Sequence, residues 1–182
     1  MGEKNDKKQR KYWNDHLRDM YLNEDGKYSY GGSFREIKGD GKAISRRAWL
    51  FVAIMDVLMV LSGLFPASGA MDAWYVILPH GAAIIFCGFL TFYMFKWTIK
   101  GPSKLREYIY QKTIPRLYPS AMGASILSFL VVLTESFYLT RHGMGMYPKG
   151  AIILLICAVI TGATGQFLCS SLKRQEWLNI AK

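Results

Sequence analysis

The chain has 182 residues, a formal net charge of +10 and a mean hydropathy of +0.10. The mean conceals a division: polar residues 1–45 precede four apolar stretches, and from Ala48 onward little chain remains for a water-soluble domain. The positive charge lies beside those stretches, where anionic lipid headgroups attract it, so nucleic acid is not the expected partner. Cys87, Cys157 and Cys169 all fall inside apolar stretches with no CxxC pair. That placement gives no disulfide framework, thiol redox motif or zinc knuckle.

Residues 1–45 form a basic and aromatic N-terminal region. Asp6 to Asp25 has helical character: Asn5 or Asp6 caps it, Gly26 ends it, and Tyr12, Trp13, Leu17, Met20 and Tyr21 share one face. Such an amphipathic helix fits the cytoplasmic leaflet or a docking partner equally well. Beyond Gly26, Tyr28–Tyr30 and Phe34–Ile37 alternate like short strands, and Gly39-Asp40-Gly41 is a turn signal. A short juxtamembrane hairpin is expected there.

The remainder, residues 46–172, is predicted to be an all-α bundle of four transmembrane helices. The spans fall at about 48–65, 74–95, 119–140 and 150–172, each near the ~20 residues needed to cross a hydrocarbon core. Arg46 and Arg47 hold the first entry at the headgroups. A cleavable leader would start near the N-terminus rather than after a long polar region, so this first stretch is expected to stay as a span. Trp74-Tyr75 and Tyr93, Lys96 and Trp97 mark the two interfaces of the second span.

Ser103 to Lys112 suggests an interfacial helix ended by Pro115 and Pro119. The third span then starts at Pro119, a first-turn position that needs no N–H. In the fourth, Gly150, Ala158, Gly162 and Gly165 are small residues three and four apart, which lets backbones approach closely. That helix is expected to be the packing centre, and residues 173–182 form a C-terminal tail.

Orientation follows from the 23 Lys and Arg residues. Twelve lie at or before Arg47, none between Pro66 and Ala73, six from Lys96 to Arg116, two (Arg141 and Lys149) in the third loop, and three after the fourth span. The alternation predicts cytoplasmic N- and C-termini in a multi-pass membrane protein. Arg46, Arg47, Lys96, Lys100, Lys104, Arg106, Lys112 and Arg116 are the expected lipid-headgroup contacts.

Four positions inside the spans are ionisable or strongly polar: Asp56, His80, Glu135 and Gln166. Counting rise per residue places Asp56 ~14 Å from either end of its span, level with Ser128 and Thr161. His80 and Glu135 form an expected outer layer, and Gln166 falls nearer the cytoplasmic end. A charged Asp at a helix centre costs about 2.5–3.5 kcal/mol on insertion scales. It therefore signals either a proton or cation relay, or a hydrogen-bonded brace between helices worth about 1 kcal/mol. Glu135 reads as structural, near enough to the interface to snorkel or to pair with Arg141.

No span carries an HxxxH or ExxH ligand spacing, so neither a metal nor a cofactor is expected. No GxSxG elbow or glycine-rich phosphate loop is present, which leaves a lipid-acting enzyme as the third reading. Tyr28-Ser-Tyr-Gly-Gly-Ser-Phe-Arg and Trp74-Tyr-Val-Ile-Leu-Pro make the chain resemble small uncharacterised bacterial four-pass membrane proteins. That resemblance implies a polytopic protein of a bacterial inner membrane and transfers no activity. The single acid in the first span is also similar to that of the small multidrug-resistance transporters, which are four-pass dimers using a membrane glutamate. Here the acid is Asp56, the N-terminal region is longer, and the aromatic surroundings of that family's acid are not reproduced. The first expectation is a non-enzymatic subunit or partner of a membrane assembly, with a homo-oligomer or another membrane protein beside it. The second is a proton- or cation-coupled transporter in which Asp56 titrates.

Overall fold

A computed structural model describes residues 20–22, 28–143 and 146–180. Four of its helices are long and apolar enough to cross a membrane: α1 (Gly41–Leu64), α3 (Trp74–Lys100), α4 (Glu107–His142) and α5 (Pro148–Lys173). The chain is a multi-pass membrane protein. A five-residue helix, α2 (Ser68–Asp72), bridges α1 and α3 at one end of the bundle. Five short strands complete the fold: β1 (Met20–Leu22), β2 (Tyr28–Tyr30), β3 (Phe34–Ile37), β4 (Lys104–Arg106) and β5 (Trp177–Ile180).

Local chemistry sets the helix ends. Asp40 caps α1, its carboxylate accepting from the Lys42 and Ala43 amides at 2.9 and 3.2 Å. Gly101 ends α3 with φ +109°, a conformation that a side chain disfavours. Pro148 opens α5 in the first turn, where its missing N–H removes no helical bond.

Each spanning helix packs along the next in a ring, α1 on α3, α3 on α4, α4 on α5 and α5 back on α1. The α1–α3 seam is the thinnest of the four, and α5 is the most buried helix. Small residues explain the close fit of α5. A β-carbon on Gly150 would overlap the Pro66 carbonyl, and one on Gly165 would stand 2.9 Å from Ser125 Cβ.

The apolar interior has two parts. One runs from mid-bundle to the sheet end through Val52, Met55, Leu90, Met94, Trp97 and Leu105. The other fills the α2 end around Val76, Val131, Tyr138 and Leu154.

The sheet end departs from the sequence expectation in several ways. Residues 6–19 of the expected amphipathic helix lie outside the described residues, while Met20–Leu22 of the same stretch is a strand. β1 pairs antiparallel with β2, and β3 pairs antiparallel with β4 on one side and β5 on the other. β2 and β3 therefore join different sheets instead of forming one hairpin with each other. Helix ends bring the other partners: β4 precedes α4 and β5 follows α5, so both strands arrive where β3 enters α1.

The expected interfacial helix from Ser103 is corrected too. Leu105 is fully buried between exposed Lys104 and half-buried Arg106, a period of two that suits a strand. From Glu107 a single helix of 36 residues continues through Pro115 and Pro119. Pro119 is thus interior, not the start of a span. Each proline deprives one carbonyl of its helical partner, on Gln111 and Pro115, and both residues are exposed, so outside groups can satisfy them. At 1.5 Å per residue α4 is about 54 Å long, well beyond a ~30 Å hydrocarbon core. Its first turns, with Glu107, Gln111, Lys112 and Arg116, stand outside the apolar stretch.

Candidate functional site

The α1–α3 seam holds the most polar of the spanning positions. α1 turns Val52, Met55 and Met59 into the bundle, and Asp56, next on the helix, falls half-buried at the edge of that face. Thr91 stands across from it on α3, and its hydroxyl donates to Asp56 Oδ2 at 2.6 Å. The second oxygen, Oδ1, has no hydrogen-bond partner among the described residues.

A groove of about 410 Å³ surrounds this pair, walled by Met59, Val60, Ile84 and Cys87. Val60 and Ile84 are 62% and 43% exposed, so the groove opens sideways out of the bundle instead of into its centre. Gly63 and Gly88 line it as well, and neither would meet any atom on gaining a β-carbon. They leave space unfilled where helices elsewhere in the ring touch.

The structure does not join Asp56 to the residues expected beside it. Ser128 is buried on α4 and donates to the Ala124 carbonyl at 2.8 Å. Thr161 is buried on α5 with its hydroxyl unpartnered. Neither bonds to Asp56. Ser125 makes the bond that matters between α4 and α5, donating to the Gly162 carbonyl at 2.7 Å.

Glu135 is fully buried, so it neither snorkels nor pairs with Arg141, whose guanidinium lies 4.7 Å from the Phe137 ring. Its carboxyl presses on Gly69 of α2, where a β-carbon would overlap it. The Gly69 amide bears on the carboxyl, but neither oxygen gains a well-directed hydrogen bond. Tyr138, one turn on, donates to Asp72 at 3.0 Å and so ties α2 down over Glu135.

His80 also has a buried, unpartnered Nδ1. Contacts of Tyr93 with Arg116 and of Phe86 with Gly123 share one antiparallel offset between α3 and α4. On that offset His80 faces about residue 129, one to two turns from Glu135. Gln166 is exposed on the outside of α5.

All eight expected headgroup contacts collect at the sheet end. Lys96 lies 4.2 Å from the Phe92 ring, Lys104 lies 4.7 Å from the Phe34 ring, and Arg116 reaches the Tyr93 hydroxyl at 3.4 Å. Beneath them, Arg35 bonds Glu107 through Nε at 2.6 Å and lies 5.2 Å from the Tyr110 ring. Arg35 holds the Glu107 carboxyl below its ordinary range.

Thr91, Gly63, Gly88 and Cys87 were missed in the sequence. One signal was available: Thr91 stands nine residues from Lys100, and Asp56 nine from Arg47, so counting from the basic end puts them level. Nothing in the sequence revealed which way either side chain points. Among the described residues no group of His, Cys, Asp and Glu is arranged to hold a metal. No protein-family model matches the chain, and neither a curated protein nor a solved structure does.

Proposed function

We propose that this protein is a non-enzymatic partner in a membrane assembly, and that it docks through the groove at the α1–α3 seam. The observation carrying the proposal is the Asp56 carboxylate, half-satisfied by Thr91 in a groove that opens sideways. Hydrocarbon tails offer no donor for the remaining oxygen, whereas a neighbouring helix does. The termini and the basic sheet end face the cytoplasm of a bacterial inner membrane, where the lysines and arginines meet anionic headgroups. The basic and aromatic composition of the sequence before Met20 also suits a partner.

Purification from the native membrane in mild detergent tests this reading. A stoichiometric assembly that Val60→Trp disperses is the expected result, because the indole would fill the groove. A chain that is monomeric before and after that change would overturn it.

A second reading, a proton- or cation-coupled transporter, draws on the same pairing, since an intramembrane carboxylate is a common relay. In liposomes, Asp56→Asn would then abolish proton-linked flux while leaving the fold intact. Equal flux from both proteins would remove that reading.

A further inference from the structure

A second polar group is exposed on a spanning helix near the level of Asp56. Gln166 on α5 is exposed, and its side chain has no hydrogen-bond partner among the described residues. Two paths around the ring bracket its level. Through α1 and α5, where Gly150 abuts Pro66 and Gly165 lies near Met55, Asp56 stands opposite about residues 160–164. Through α3 and α4, Thr91 stands opposite about Tyr118, whose carbonyl accepts from Cys169 Sγ at 3.8 Å. Gln166 lies between those limits.

Its direction is fixed as well. Gly162 and Cys169, four before and three after Gln166, both contact α4. Gln166, within about 60° of both around the helix, therefore sits on the α4 side of the outer face of α5, and Met122 on α4 is exposed as well. In a ring ordered α1, α3, α4, α5, the α4–α5 seam is opposite the α1–α3 seam. One face of the bundle thus carries an acceptor in a groove, and the opposite face carries an exposed amide donor, less than two helical turns from the same level.

We infer that the α1–α3 groove receives the α4–α5 face of a second copy of this chain, with the Gln166 amide donating to the Asp56 carboxylate. The inference rests on the docking role proposed above and names its occupant. A bilayer hydrates neither group, so pairing them removes two unsatisfied sites at once. Gly63 and Gly88 leave open space in the groove for an incoming side chain. Because the two surfaces differ, the contact is head-to-tail, and repeating it produces a closed ring or a row instead of a two-fold dimer.

Directed disulfide formation tests it. In a background with Cys87→Ala, Cys157→Ala and Cys169→Ala, two tagged copies are co-expressed, one with Gly88→Cys, three residues from Thr91, and one with Ala163→Cys, three from Gln166, both on the α2 side. Oxidation in the membrane should yield the mixed disulfide and little of either self-pair. Adding Gln166→Leu, a lipid-facing change that breaks no bond within the chain, should cut its yield roughly three- to twentyfold, the range measured for interhelical hydrogen bonds. Dominant Ala163→Cys self-pairing, or a yield indifferent to Gln166→Leu, would overturn the head-to-tail pairing. If instead a bis-maleimide links the Gly88→Cys copy to a different membrane protein, this inference falls while the docking role stands. Failure to link to anything removes both.

Discussion

Thr91 and Asp56 are joined deep in the α1–α3 seam by a 2.6 Å hydrogen bond from a hydroxyl to a carboxylate that has one oxygen to spare. The seam is otherwise thin. Thr91→Val keeps the shape and removes the donor, and it should cost about 0.6–2 kcal/mol. Thr91→Ser should restore most of that. Unfolding in mixed micelles measures both.

Glu135 shows the opposite condition, complete burial without a directed hydrogen bond. A buried polar group left unsatisfied costs roughly 1–3 kcal/mol, so Glu135→Met should raise stability by about that amount. The same unfolding measurement reads it. A large loss instead would mean that the Gly69 contact holds α2 in place.

Glycine substitutions should separate contact from open space. Gly150→Ala drives a methyl group into the Pro66 carbonyl and should destabilise by about 1–3 kcal/mol. Gly81, also within a helix, has nothing within 4 Å of its added carbon. Gly81→Ala should leave stability unchanged or raise it by up to about 1 kcal/mol. Thermal melts in detergent compare the two.

Trp177 pins the C-terminal strand under the bundle, its ring 5.1 Å from Tyr110 and 6.2 Å from Trp97. Trp177→Ala should cost about 1–2 kcal/mol in lost burial and ring contact. Hydrogen exchange at the amides that pair β3 with β5 should quicken, while exchange in α3 stays slow.

The sheet end should loosen in acid. Arg35 depresses the Glu107 carboxyl and Lys38 depresses that of Glu176. Groups with lowered folded-state values contribute fully above the ordinary carboxyl value of 4.5 and lose that contribution as pH falls through the depressed values. The Lys38–Glu176 pair is exposed and contributes little, so the Arg35–Glu107 pair dominates. Arg35→Ala should flatten the pH dependence of tail exchange below that value.

Sequence alone determined the four spans and the gathering of basic residues at one end, because crossing a hydrocarbon core demands long apolar runs and charge remains outside it. It also predicts a level for Asp56, since a helix rises by a fixed step. Direction was beyond its reach. A half-turn of error in facing separates a bundle interior from a lateral groove, and only the packing of α1 on α3 turned Asp56 toward Thr91. The prolines of α4 misled for a related reason: whether a helix survives a missing bond depends on whether the freed carbonyl is exposed. β3, β4 and β5 come from segments about 70 residues apart, so their sheet exists only because the folded helices bring those ends together.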